Sequence, residues 1–263
     1  MRARCDDTDV SWFETGRGDP LVLVHGLADD HRAWRKTLPD LMLRHRVVLY
    51  DLRGHGGTDL GKPDGSLRQL GEDLVRLLDA IGIDRAHVAG FSLGGTIAMR
   101  LAIDHRDRVR GLCLVATSSR VGRTAADWYR ERAGMVERND PGLRETLDRD
   151  TADVYARSPD ELEEGLMIRR QSTGDPRGYG NACAAMAGLN AAPLDPELGR
   201  IGAPTLIVAS DRDQHCPPKA AEIIAAGIHG SRLEVIEGAG HPIPVEKPCE
   251  LARLINLFLA EVG

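Results

Sequence analysis

Short, uninterrupted apolar runs mark both ends of the chain. Leu21-Val22-Leu23-Val24 stops at His25-Gly26, and Arg46-Val47-Val48-Leu49-Tyr50 stops at Asp51. Ala86-His87-Val88-Ala89, Leu112-Cys113-Leu114-Val115, Thr205-Leu206-Ile207-Val208 and Leu233-Glu234-Val235-Ile236 continue the series. Runs this short, β-branched and largely without alternation predict strands covered on both faces. Between them the rhythm changes. After Ser66, apolar residues at Leu67, Leu70, Leu74, Leu77, Leu78 and Ile81 share one helical face, with Ser66 as cap and Gly82 as stop. Thr96 to Ile103 and Cys249 to Leu259 read the same way. Strand and helix in repetition predict an α/β fold, with a mostly parallel central sheet flanked by helices.

The alternation fails between about 120 and 200. That stretch has no run of buried-strand type, only polar helical patterns broken at Ser158-Pro159 and Gly174-Asp175-Pro176. It is too long for a structureless loop in a compact domain. Residues 120–200 are therefore expected to form a helical insertion, or cap, with 1–119 and 201–263 forming the core. At 263 residues, one domain of this kind accommodates the whole chain.

Composition removes several classes of function. The 34 Lys and Arg against 40 Asp and Glu give a formal charge of -6, which argues against a nucleic-acid backbone binder. No long uncharged apolar run predicts a membrane span. The charged start Met1-Arg2-Ala3-Arg4 lacks the apolar segment of a secretory leader, so a cytoplasmic protein is expected. Five scattered cysteines (Cys5, Cys113, Cys183, Cys216, Cys249) suggest neither a disulfide framework nor a metal site. Neither a metal nor an organic cofactor is expected.

One motif carries chemistry. Gly90-Phe91-Ser92-Leu93-Gly94-Gly95 follows an expected strand and precedes an expected helix, the context that G-x-S-x-G requires. Glycines relieve a sharp strand-to-helix turn, and the helix N-terminus aims amides at developing negative charge. A serine hydroxyl needs a base, and the base an orienting acid. Gly240-His241-Pro242 is the best histidine, on a turn after the last strand and at the same sheet end as Ser92. The acid is contested: Asp211 and Asp213 both follow the strand ending near Ala209. Asp213 is preferred, because it stands four residues before Pro217 in a D-x-x-x-P pattern. His215, in the same loop, is either a site-lining or a surface residue.

Taken in the order Ser92, Asp213, His241, these motifs resemble the α/β-hydrolase superfamily over nearly the whole chain. The resemblance implies an α/β-hydrolase fold with a helical cap inserted after the sixth strand. His25-Gly26 resembles the family's oxyanion turn, which implies that the backbone amides of Leu27 and Leu93 hold a tetrahedral oxyanion. Asp51-Leu52-Arg53-Gly54-His55-Gly56 is similar to a structural loop of the family. Ser210 and Thr58 depart from it, standing where relatives have glycine and serine. A serine nucleophile implies acyl transfer.

Within the cap, Asp127-Trp128-Tyr129-Arg130, Gly134-Met135 and Gly178-Tyr179-Gly180 look like lid segments of 3-oxoadipate enol-lactonases and small esterases. Trp128, Arg130, Met135, Tyr179 and Met186 are the resulting substrate-binding candidates, and Arg130, Arg169 or Arg170 could pair a substrate carboxylate. The expected substrate is a small carboxylic ester or lactone. The same triad acting on a carbon–carbon bond or thioester is the alternative, and a non-catalytic ligand receptor a third. The sequence does not decide whether the chain forms a homo-oligomer.

Overall fold

In a computed structural model, which describes residues 1–262, the apolar runs form the centre of an eight-stranded sheet. The strands are β1 (Arg2–Cys5), β2 (Thr8–Gly16), β3 (Pro20–Val24), β4 (Arg46–Tyr50), β5 (Ala86–Phe91), β6 (Val109–Val115), β7 (Thr205–Ser210) and β8 (Arg232–Ile236). Their spatial order is β1-β2-β4-β3-β5-β6-β7-β8. Every pairing from β4 to β8 is parallel, whereas β1 and β2 add an antiparallel ribbon at one edge.

Side-chain alternation along each strand divides the core in two. Val22, Val24, Val48 and Tyr50 point to one face, where α2 (Leu67–Ala80) and α3 (Leu93–Asp104) pack. Leu21, Leu23, Val47 and Leu49 point to the other, which is shared with Trp34 and the C-terminal helix. Ser66 caps α2, its hydroxyl accepting from the Gln69 amide at 3.1 Å, a contact worth about 1 kcal/mol. Leu70, Leu74, Leu77 and Leu78 of α2 are all buried, as their spacing predicts. The strand expected at Leu233–Ile236 is present as β8, but it is not covered on both faces. It closes the sheet edge, and Val235 is exposed.

A short helix α1 (Leu38–Leu41) precedes β4. Between β6 and β7 stand α4 (Arg123–Glu137), α5 (Leu143–Val154), α6 (Leu162–Ser172) and α7 (Pro176–Gly188), with no strand among them. These helices enclose an apolar cluster of their own, Met135, Val136, Leu143, Leu147, Tyr179 and Cys183, to which the core contributes Ala28. The chain then continues through α8 (Pro218–Gly227), the short α9 (Ile243–Glu246) and α10 (Pro248–Val262). Among the described residues no helix is long and apolar enough to cross a membrane.

The Asp51–Gly56 loop is an internal brace. The Arg53 guanidinium, fully buried, pairs with Asp73 at 2.6 and 2.8 Å and also reaches Asp7. Thr58 keeps the hydroxyl that the brace uses, donating to Asp51 O at 2.7 Å and accepting from the Ser11 amide.

Candidate active site

Ser92 sits between the last residue of β5 and the first of α3, with φ 54° and ψ −120°. A side-chain-bearing residue there costs roughly 1–3 kcal/mol and persists only where its surroundings fix it. They do so here. The Ser92 amide donates to Val115 O at 2.9 Å, and its carbonyl accepts from the Thr117 hydroxyl at 2.6 Å. The neighbouring glycines are demanded by contact: a Cβ on Gly94 would lie 2.3 Å from Val24 O, and one on Gly90 2.3 Å from Gly94 O.

The loops after β7 and β8 bring the other two residues to this turn. His241 Nε2 lies 3.0 Å from Ser92 Oγ, and His241 Nδ1 lies 2.8 Å from Asp213 Oδ2. The second Asp213 oxygen accepts from the amides of His215 and Cys216, both at 2.8 Å. Burial opposes ionisation of Asp213, but His241 and these two amides outweigh it and hold the carboxyl below its usual range. Asp211 faces away: it is exposed and accepts from the Gly238 amide. Of the two contested carboxylates, the geometry joins Asp213 to the histidine.

Two braces of the histidine loop were not legible as such in the sequence. Ser210 donates its hydroxyl to Gly240 O at 2.7 Å, and Glu246 accepts from the Gly240 amide at 2.6 Å. The departure from glycine at position 210 thus supplies a tether one residue before His241. Across the site, Gly26 abuts the serine: a Cβ built on it would lie 3.4 Å from Ser92 Cβ. Leu27, next in the chain, is half-buried. Leu93 opens α3, so its amide is among the first-turn donors that a helix does not pair internally.

A cavity of about 260 Å³ opens beside Ser92. It is walled by Val121, Ala125, Tyr129, Met186, Cys216 and Ile223, with Arg120 and Lys219 as its charged residues. This lies just below the usual range for ligand pockets.

The family model described as the alpha/beta hydrolase fold matches residues 19–248. The chain belongs to the α/β-hydrolase family. Among its relatives is 3-oxoadipate enol-lactonase 1 of Acinetobacter baylyi, 31% identical over 92% of this chain and 89% of that protein. The solved enol-lactonase of Burkholderia xenovorans is 27% identical, with a TM-score of 0.88 over 99% of this chain and all of its own. A malate-bound thermophilic esterase of Thermogutta terrifontis is 28% identical, with a TM-score of 0.86 over 100% of this chain and 98% of that one.

In this α/β hydrolase the substrate-binding candidates of segment 120–200 separate. Met186 lines the cavity beside Ser92, whereas Trp128, Arg130, Met135 and Tyr179 are not among its lining residues. Met135 and Tyr179 belong to the apolar cluster enclosed by α4 to α7. Trp128 packs edge-on against Tyr129 and under the Arg132 guanidinium, 4.6 Å from its ring centroid. Arg130 is exposed and pairs with Asp127, as Arg170 does with Asp148. Arg169 is committed to Asp29. Tyr129, adjacent to the candidate Trp128, is the α4 aromatic that faces the cavity. His215 is exposed at the rim, its ring centroid 5.0 Å from that of His241.

Proposed function

We propose that this hydrolase cleaves a small carboxylic ester or lactone through an acyl-enzyme, with Ser92 as nucleophile, His241 as base and Asp213 as the acid that orients it. The observation that carries this reading is the unbroken hydrogen-bonded chain from Ser92 Oγ through both ring nitrogens of His241 to Asp213, at 3.0 and 2.8 Å. Asp213 accepts from Nδ1–H, leaving Nε2 free to take the serine proton. As Oγ attacks the carbonyl carbon, that proton moves to Nε2 and negative charge collects on the former carbonyl oxygen. The amides of Leu27 and Leu93 receive this charge, the role for which their positions beside Ser92 suit them. Collapse expels the alkoxide or enolate, which takes the proton from Nε2. Water then enters, deprotonated by the same nitrogen, and releases the acid and Ser92.

The helical segment 120–200 acts as the lid, supplying Tyr129 and Met186 to the acyl pocket. Arg120 and Lys219 border a cavity with no carboxylate among its lining residues, and each pairs outside it, with Asp195 and Glu222 at 2.9 Å, so an anionic far end of the substrate would share these cations with those partners. The names of the enol-lactonase and esterase relatives support the same substrate class.

The test is turnover of p-nitrophenyl acetate and of a panel of lactones, linear esters, thioesters and β-diketones. Ser92→Ala is expected to reduce ester hydrolysis to the buffer rate, and the lactones or small esters are expected to be the best substrates. Retained turnover in Ser92→Ala, or a preference for β-diketones over every ester, would refute the reading.

A further inference from the structure

The turn that carries the Leu27 amide is held from two sides. From the core, the His25 imidazole donates from Nδ1 to Gly26 O at 2.8 Å while its Nε2 accepts from the Leu52 amide at 2.9 Å. A trans peptide points its N–H opposite its carbonyl, so fixing Gly26 O fixes the direction of the Leu27 N–H. From the other side comes the cap. Arg169 of α6 donates from Nε and Nη2 to the two oxygens of Asp29, at 3.0 and 3.2 Å. Ser172, at the end of the same helix, donates its hydroxyl to Asp29 O at 2.5 Å, and Gln171 accepts from Arg32 at 2.6 Å.

The residue between the amide and this clamp is strained. Ala28 has φ 62°, a left-handed conformation that disfavours a residue with a Cβ. Such a residue needs its surroundings to hold it. Ala28 is buried in the same apolar cluster as Met135, Leu143 and Tyr179 of the cap. The Arg169–Asp29 pair is itself largely shielded, with side chains 12% and 5% exposed, where loss of one partner strands the other's charge.

We infer that Arg169 and Ser172 are positioning residues: through Asp29 they hold the Leu27 amide at the oxyanion position, so that the hole is complete only while α6 is docked. This rests on the acyl-transfer reading above. The cap thereby contributes to the chemical step and not only to substrate binding. Arg169, which the sequence offers as a partner for a substrate carboxylate, acts instead through the backbone of the core.

The test compares Arg169→Gln, Arg169→Lys, Ser172→Ala and, as a control on an exposed cap pair, Arg149→Gln. Two readouts are taken: kcat and KM for p-nitrophenyl acetate, and the inhibition constants of a trifluoromethyl ketone and its methyl ketone counterpart. The fluorinated ketone forms an oxyanion on Ser92; the methyl ketone does so only weakly. Removing an oxyanion donor outright costs 10²–10³ in kcat, and displacing one less, so Arg169→Gln should lower kcat about thirtyfold with KM nearly unchanged. Affinity for the fluorinated ketone should weaken by a similar factor while that for the methyl ketone holds.

Arg169→Lys should recover part of both losses. Ser172→Ala should show the same pattern at roughly three- to fivefold, the loss of one neutral hydrogen bond. Arg149→Gln should match the parent protein. If Arg169→Gln fails to fold, Arg169→Lys and Ser172→Ala carry the same two readouts. Unchanged kcat in the folded variants, a rise in KM alone, or a fall in kcat without the matching loss of the fluorinated ketone overturns the proposal. Ser92→Ala separates the two claims: turnover surviving there defeats acyl transfer itself, whereas turnover lost there with the ketone ratio intact in the cap variants defeats only the clamp.

Discussion

Replacing Asp213 with asparagine tests the acid assignment through an orientation that the structure already dictates. Asp213 Oδ1 accepts from two amides, those of His215 and Cys216, both at 2.8 Å. An asparagine keeps its carbonyl oxygen on those donors, which turns its NH₂ toward His241 Nδ1. Two donors then face each other across what is now a 2.8 Å contact. The imidazole relieves this by moving its proton to Nε2, so the nitrogen 3.0 Å from Ser92 Oγ presents a hydrogen where a lone pair is needed. A base in the wrong tautomer costs about 10⁴ in kcat in serine hydrolases, roughly 5.5 kcal/mol on the barrier.

KM should change little, because Asp213 is buried behind the histidine and away from the cavity wall. Steady-state hydrolysis of p-nitrophenyl acetate by Asp213→Asn and Asp211→Asn, with circular dichroism to confirm folding, gives the answer. Asp211→Asn should remain within about twofold, since its carboxylate serves only exposed partners, the Gly238 amide and the Arg212 guanidinium. A folded Asp213→Asn that keeps more than a tenth of parental kcat would defeat the reasoning, as would greater damage from Asp211→Asn.

Two further outcomes follow from charge. Burial, aided by the neighbouring His25, depresses the His55 pKa from 6.5 to about 4, so between these values the unfolded chain binds a proton that the folded one refuses. Stability is complete above pH 6.5 and should fall by about 2 kcal/mol by pH 5 from this residue alone. Urea titrations at pH 7 and 5 should show that loss shrinking in His55→Asn, and an equal loss in both proteins would contradict it. At the cavity mouth, Lys219→Ala with Arg120→Gln should raise KM for an ester bearing a terminal carboxylate roughly three- to tenfold, sparing a neutral ester of equal length. Added salt should narrow that difference, and equal effects on both esters would remove the anionic end from the substrate.

What could be read from the chain alone depended on how local each signal was. The inner strands β3 to β7 announce themselves because burial on both faces leaves their apolar runs nearly unbroken, with His87 a buried exception. The ribbon β1–β2 does not, since an edge exposed to solvent interleaves Arg2, Arg4, Asp9 and Glu14 with its apolar positions. Ser92 and His241 sit in short motifs whose backbone demands are visible as glycines. The cavity is different in kind. Its walls come from segments after β5, β6 and β7 and from helices α4 and α7, and many of the residues are small, such as Ala125, Val121 and Cys216. An aromatic residue between 120 and 200 reads from the chain as a pocket wall, yet Tyr179 fills the interior of the helical layer. Neither Ser210 nor Glu246 carries a pattern, because each matters only through a backbone group that folding brings near.

The insertion of Ala28 into the interior of the helical layer bears on how such enzymes diversify. A contiguous segment between two strands invites recombination, since breakpoints near 120 and 200 would exchange α4 to α7 in one event. In this protein the graft would also have to accommodate a strained alanine and a carboxylate donated by the recipient. Chimaeras built from donors with a guanidinium in register with Arg169 should therefore retain turnover, while those without one inherit a new specificity at the expense of rate.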